Sequence, residues 1–133
     1  MPDTEVLLLV EDDDAMRHLY CHALEARGYR VLTAADGFAA LVAAATHPEP
    51  IHLLITDFVL PRMSGEELRV KFLMQHPGAR VLFLTGYAEQ ARAVVGKAAG
   101  APRILAKPVG AETLVATVRM SLDLSDEVPR RSA

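Results

Sequence analysis

Acidic, hydroxyl and basic side chains follow four separate apolar runs of this sequence, each at the point where a run ends. They are Glu11 and Asp12, Asp57, Thr85, and Lys107. The carboxyl ends of parallel strands meet at one edge of a sheet, which is where open α/β sheets bind ligands. If the four runs are neighbouring parallel strands, these carboxylates, the hydroxyl and the ammonium lie together at that edge.

Asp57 is the residue best suited to covalent chemistry there, because a carboxylate nucleophile can form an aspartyl phosphate. Carboxylates a few ångström apart repel each other, so a divalent cation is expected between them. Mg²⁺ prefers hard oxygen ligands and keeps several waters. We expect Asp12 and Asp57 to bind it directly and Glu11 to bind it through water. Mg²⁺, the Lys107 ammonium and the Thr85 hydroxyl would then contact the oxygens of a transferring phosphoryl group.

Two alternating hydrophobic periods predict the elements that position these residues. Short, continuous apolar runs are typical of strands buried on both faces of a parallel sheet. The runs are Val6–Val10, Val31–Ala34, Ile51–Thr56, Val81–Thr85 and Ile104–Ala106. Between them, apolar residues recur at spacings of three and four, as in amphipathic helices. We therefore predict five strands and five helices in strict alternation, with helices on both faces of the sheet.

Capping residues predict several helix boundaries. Asp14 is expected to cap the first helix. Ser64 and Glu67 have the spacing of a capping box for the third helix.

The fourth helix is expected to span Glu89–Ala99.

Composition predicts one small domain. The 133 residues are 51% hydrophobic, enough for a single core. We assign residues 1–125 to the domain and residues 126–133 to a polar, flexible tail. A net charge of −3 gives no basic footprint for nucleic acid. The single cysteine, Cys21, fits a reducing compartment. With no apolar stretch near the ~18 residues of a membrane span and no signal peptide, the expected location is the cytoplasm.

Four motifs, in this order, are similar to those of the receiver domain of two-component response regulators. They are Val10-Glu11-Asp12, Asp57 with Pro61 and Gly65, Thr85-Gly86, and Lys107-Pro108. The resemblance covers about residues 5 to 124. It implies a flavodoxin-like (βα)5 three-layer α/β sandwich whose parallel sheet has the strand order 2-1-3-4-5. It also implies that Asp57 is the phosphoacceptor, that Thr85 and Lys107 assist it, that the Val59 backbone carbonyl binds Mg²⁺, and that the peptide bond before Pro108 is cis.

The same resemblance implies the partners. A sensor histidine kinase or a histidine-phosphotransfer protein would donate the phosphoryl group. A downstream protein would bind the face formed by the fourth helix, the fifth strand and the fifth helix. The domain would catalyse only its own phosphorylation and dephosphorylation, so it is not expected to be an enzyme. We expect a monomer or weak homodimer, with no nucleic-acid or membrane partner.

One position departs from the family pattern. Receivers often have Tyr or Phe three residues before the lysine, where this chain has Ile104. Thr85 and Ile104 therefore cannot form the usual hydroxyl–aromatic switch. Tyr87 could shield the phosphoryl group from water or could be an ordinary loop aromatic; the sequence does not distinguish these roles.

Three other functions are alternatives. A receiver-fold scaffold could act by binding alone, without phosphorylation. A phosphatase of the haloacid-dehalogenase type would need a second acid two residues after Asp57, where this chain has Val59. A flavodoxin would need a Ser/Thr/Gly-rich phosphate loop after the first strand. Among receivers, the chain could be a stand-alone regulator, a phosphorelay shuttle or the receiver of a hybrid histidine kinase.

Overall fold

The computed structural model describes residues 4–96 and 101–131. Within them, five parallel strands form one sheet in the order β2-β1-β3-β4-β5. The strands are β1 (Val6–Val10), β2 (Arg30–Ala34), β3 (Leu53–Asp57), β4 (Arg80–Thr85) and β5 (Arg103–Ala106). This confirms the predicted flavodoxin-like fold and its strand order. The five apolar runs differ from the strands by at most two residues at either end.

A helix follows each strand. The helices are α1 (Asp14–Glu25), α2 (Gly37–Thr46), α3 (Gly65–Gln75), α4 (Ala88–Val95) and α5 (Ala111–Arg131). Successive residues of a strand point to opposite faces, so β1 contributes to two cores. Leu8 and Val10 belong to the core beneath α2 and α3. Leu7 and Leu9 belong to the core beneath α1 and α5. The result is a three-layer sandwich.

The first and third helices begin at side-chain caps. The cap of α1 is Asp13, whose carboxylate accepts from the Met16 N–H at 2.9 Å. The prediction of Asp14 was therefore wrong by one residue, and Asp14 is the first helical residue instead. The Ser64 cap of α3 is confirmed, because its hydroxyl oxygen accepts from the Glu67 N–H at 3.0 Å.

The last two helices differ in length from expectation. α4 ends at Val95, where Gly96 caps it with φ of +75°, a conformation that favours glycine. The prediction that this helix continues to Ala99 was wrong in extent, and residues 97–100 lie outside the described part. α5 continues to Arg131 and so includes much of the segment assigned to the tail. None of the helices in residues 4–96 and 101–131 combines the length and apolarity needed to cross a membrane.

The strand register brings the motif residues to one edge of the sheet. Val10 lies beside Thr56, so that Glu11 and Asp57 follow at the same level. Thr85 lies beside Ala106, and its carbonyl accepts from the Lys107 N–H at 2.8 Å. The ends of four strands therefore place the acids, the hydroxyl and the lysine in one region.

Candidate functional site

Two carboxylates and one ammonium meet at the carboxyl edge of the sheet. The Lys107 Nζ atom donates to Asp57 Oδ2 and to Glu11 Oε1, at 2.9 Å in each case. Glu11 is 2% exposed, and the side chains of Asp57 and Lys107 are 14% and 25% exposed. We call this cluster the acid–lysine triad. The sequence-based prediction that these three residues come together agrees with the geometry.

Backbone contacts fix the position of Asp57. Its Oδ1 atom accepts from the Val59 N–H at 3.1 Å. Gly65 packs directly against the backbone at Asp57, and its N–H donates to the Phe58 carbonyl at 2.8 Å. A Cβ atom on Gly65 would overlap the Asp57 carbonyl oxygen and lie 2.8 Å from the Phe58 Cα. The chain therefore needs glycine here to return beneath Asp57 and begin α3.

Glu11 is held from several sides. Its Oε2 atom accepts from the Asp13 N–H at 3.0 Å. Its backbone carbonyl accepts from Arg17 Nη1 at 2.8 Å. A buried carboxylate needs such partners, because burial without them strongly disfavours its charge. The turn between β1 and α1 is thereby joined to the first turn of α1.

The carboxylates change the acidity of the lysine. Burial alone would lower the pKa of Lys107. The hydrogen bonds to Asp57 and Glu11, together with the charges of these carboxylates, outweigh burial and raise the pKa from 10.5 to about 12. Lys107 is thus a fixed cation at neutral pH. The peptide bond that follows it, to Pro108, is cis as expected.

Thr85 is fully buried, and its Oγ1 atom accepts from the Tyr87 N–H at 3.0 Å. Because that bond uses a lone pair of the oxygen, the hydroxyl proton is left for another acceptor. The Tyr87 side chain is 54% exposed. Ile104 is half-buried and packs against the core beneath α2 and α3.

The other two predicted metal ligands are more open. The Asp12 side chain is exposed, and Val59 is 51% exposed in the loop after β3. Within the described residues, no group of three or more His, Cys, Asp or Glu side chains is arranged to hold a metal ion. Mg²⁺ commonly binds through one or two carboxylates and retains water. The oxygen donors at this edge fit that cation in chemical type.

Three contributors to the site were not predicted from sequence. Asp13 and Arg17 hold Glu11, as described above. Tyr20 lies in the apolar stripe of α1, and its hydroxyl donates to the Val109 carbonyl at 3.0 Å, two residues after Lys107. Nothing in the sequence pattern distinguishes these residues from an ordinary helix surface or core.

The fold and site define a class: a flavodoxin-like α/β domain with an acid–lysine triad at the carboxyl edge of its sheet. Residues 7–119 match the response regulator receiver domain family. The chain therefore belongs to that family and is a receiver domain of the two-component type.

Curated relatives agree with this assignment. The response regulator receiver protein CpdR of Brucella abortus is 34% identical over 116 residues, which cover 87% of this chain and 95% of CpdR. The sensor kinase CckA of Brucella abortus is 36% identical over 120 residues, 90% of this chain but 13% of the kinase. This chain also spans about half of a matched transcriptional regulator, 49% of TcrX of Mycobacterium tuberculosis.

Solved structures show the same architecture. A CheY-like receiver domain protein from Methanospirillum hungatei has a TM-score of 0.81 at 31% identity, covering 94% of this chain and 98% of that one. The receiver domain of the hybrid histidine kinase CckA has a TM-score of 0.75 at 37% identity, covering 88% and 98%.

Proposed function

We propose that this receiver domain accepts a phosphoryl group on Asp57 from a phosphohistidine. The supporting observation is the acid–lysine triad, in which Lys107 lies 2.9 Å from both Asp57 and Glu11. Catalysis of phosphoryl transfer depends on positioning and on stabilising negative charge on the phosphoryl oxygens. A carboxylate nucleophile held beside a fixed ammonium meets both needs.

In the proposed step, an Asp57 carboxylate oxygen attacks phosphorus. The new O–P bond forms as the N–P bond of the phosphohistidine breaks, and the imidazole leaves with the electron pair and takes a proton from solvent. Lys107 would contact one phosphoryl oxygen. The Thr85 hydroxyl would donate to a second, since its proton is not used by the bond from the Tyr87 N–H. The Val59 N–H orients the carboxylate for attack.

Asp12 and Asp57 would hold Mg²⁺ directly, with the Val59 carbonyl as a further ligand and Glu11 acting through water. When bound, the ion would neutralise charge on the carboxylates and on the phosphoryl oxygens. A donor set of oxygens alone supports Mg²⁺ over metals that prefer nitrogen or sulfur ligands.

The proposed donor is a sensor histidine kinase or a histidine-phosphotransfer protein. Similarity to the receiver of a hybrid histidine kinase supports this choice. A downstream protein is proposed to bind the α4–β5–α5 face. We propose a cytoplasmic location and a monomer or weak homodimer. The chemistry is limited to the domain's own phosphorylation and dephosphorylation.

The switch is proposed to act without a rotating aromatic. Thr85 would move towards the phosphoryl group and draw the loop to Tyr87 with it, so that α4 shifts. Ile104 would change little, because a β-branched side chain is stiff at χ1 and has no ring to turn.

Incubation with acetyl phosphate and Mg²⁺, followed by intact-protein mass spectrometry, tests the acceptor. The parent should gain one phosphoryl group that is labile to base. Asp57→Asn should remain unlabelled and folded, because the amide is nearly isosteric with the carboxylate.

Asp36→Asn is the matched control. Asp36 follows β2 at the same edge of the sheet and caps α2 through a bond from the Ala39 N–H. Asparagine keeps this cap, so the variant should be labelled like the parent. Equal labelling of Asp57→Asn would place the acceptor elsewhere. An unlabelled parent would instead favour the scaffold that acts by binding alone.

A further inference from the structure

A buried phenol binds the turn that follows Lys107. Tyr20 of α1 is fully buried, and its hydroxyl donates to the backbone carbonyl of Val109 at 3.0 Å. Burial raises the pKa of Tyr20; the positive charge of Lys107 lowers it and the negative charge of Glu11 raises it. The phenol is therefore within electrostatic range of two members of the triad.

Residues 107–110 join β5 to α5, and we call them the lysine turn. Two hydrogen bonds hold this turn, one near each end. At its beginning, the Lys107 N–H donates to the Thr85 carbonyl at 2.8 Å. Near its end, the Val109 carbonyl accepts from the Tyr20 hydroxyl. The turn is thus held to β4 at its beginning and to α1 near its end.

The same helix begins at the acid side of the site. α1 starts immediately after the turn that contains Glu11 and is joined to that turn through Asp13 and Arg17. Through Tyr20, α1 therefore connects the turn that holds the acid to the turn that holds the lysine. These two turns are far apart in sequence but must be in register for one ammonium to reach two carboxylates.

Packing alone does not require the hydroxyl. A phenylalanine or an aliphatic side chain would fill the apolar stripe of α1, whereas a buried hydroxyl costs free energy unless it is bonded. Val109 is itself buried, and an unpaired carbonyl there would also be costly. The hydroxyl and the carbonyl satisfy each other and fix one geometry of the turn.

We propose that Tyr20 is a positioning residue, whose hydroxyl fixes the lysine turn so that Lys107 meets Glu11 and Asp57 together. The consequence for phosphoryl transfer rests on the proposed function of Asp57. The placement of the Lys107 ammonium does not depend on that function, and it can be measured in the unphosphorylated domain.

The test compares Tyr20→Phe with the parent by ¹⁵N–¹H NMR of the lysine ammonium groups. In the parent, proton exchange at Lys107 should be slow, because two carboxylates hold its protons. Tyr20→Phe should speed that exchange about threefold to tenfold, the range for losing one neutral hydrogen bond. Lys71, half-exposed on α3, is the internal reference and should be unchanged.

Tyr29→Phe is the matched control. Its hydroxyl is hydrogen-bonded too, as the acceptor of a bond from Arg119 at 3.2 Å, but Tyr29 immediately precedes β2 and does not contact the lysine turn. This variant should leave the Lys107 exchange rate at the parent value. Equal exchange rates in the parent and Tyr20→Phe would overturn the proposal.

Phosphorylation is the second measurement. Labelling of Asp57 by saturating acetyl phosphate should slow by a similar factor in Tyr20→Phe, with the half-saturating concentration unchanged. If the parent is not labelled at all, the proposed function fails while the exchange measurement still decides the role of Tyr20. If Tyr20→Phe does not fold, fluorotyrosine at position 20 keeps the ring and strengthens the donor. Exchange at Lys107 should then be slower than in the parent, and an unchanged rate would contradict the proposal.

Discussion

Replacing Lys107 by methionine removes the ammonium of the triad while keeping an unbranched side chain of similar length. The pKa of Lys107 lies at about 12, compared with 10.5 for the ordinary group. Each pH unit of difference corresponds to about 1.4 kcal/mol, so the ammonium contributes roughly 2 kcal/mol to the free energy of unfolding. Lys107→Met should lower the free energy of unfolding by about that amount at pH 7.

The dependence on pH provides the sharper test. Because the folded state raises the pKa, the stabilisation is fully present below pH 10.5 and is lost as pH rises through about 12. Urea unfolding in the presence of a chelator, from pH 8 upwards, measures the difference in the free energy of unfolding between parent and variant. This difference should be constant below pH 10.5 and should disappear as the pH rises to about 12.

Lys71→Met is the control, because Lys71 pairs with Glu67 on an exposed helix surface. This substitution should lower the free energy of unfolding at pH 7 by no more than about 0.5 kcal/mol. A gap between parent and Lys107→Met that stays constant beyond pH 12 would refute the reasoning, since the charge of the ammonium would then not be what stabilises the fold.

Three further outcomes are expected. Gly65→Ala should destabilise the fold by about 1–3 kcal/mol in thermal or urea unfolding, because its methyl group would meet the backbone at Asp57; a stability equal to that of the parent would show that this loop can move aside. Asp12→Ala should keep or raise the melting temperature without Mg²⁺ and lose the stabilisation by Mg²⁺; a variant that still responds to millimolar Mg²⁺ like the parent would exclude Asp12 as a ligand. Addition of beryllofluoride should shift the amide resonances of Thr85 and α4 strongly and that of Ile104 modestly, whereas an unmoved α4 would favour a shuttle that only passes the phosphoryl group on.

The sheet and the meeting of the triad could be predicted from sequence because both follow from simple geometry. A strand buried on both faces requires a continuous apolar run, and such runs located all five strands closely. Parallel strands end at one edge, so residues after separate runs were expected at the same edge. The strand order that brings Lys107 to Asp57, 50 positions away in sequence, was implied by the resemblance to receiver domains and not by the apolar runs.

Local detail was less predictable because several residues had equivalent chemistry. Asp13 and Asp14 are both able to cap a helix, and only the backbone conformation selects Asp13. The apolar spacing of α4 continues past Gly96, so periodicity overestimated that helix, while the positive φ of the glycine ended it.

Hydrogen bonds between distant elements were the least predictable. An arginine in the first turns of a helix gives no sign that it binds a carbonyl of the preceding strand end, as Arg17 does. The position of a tyrosine in an apolar stripe predicts that its ring is buried in the core, but it does not predict which group its hydroxyl binds. The bond from Tyr20 to Val109 spans 89 positions, and only the packing of α1 against the lysine turn determines it.

In mechanical terms, Lys107 ties the last strand of the sheet to its middle. In the sheet of the described residues, β5 is an edge strand that pairs with β4, and the lysine that follows it extends past β4 to the carboxylates at the ends of β3 and β1. A phosphoryl group on Asp57 would compete with Glu11 for the same ammonium, so the position of Lys107 would change when Asp57 is phosphorylated. Because Lys107 directly follows β5, the backbone of this edge strand would move with it, although Ile104 has no ring to rotate.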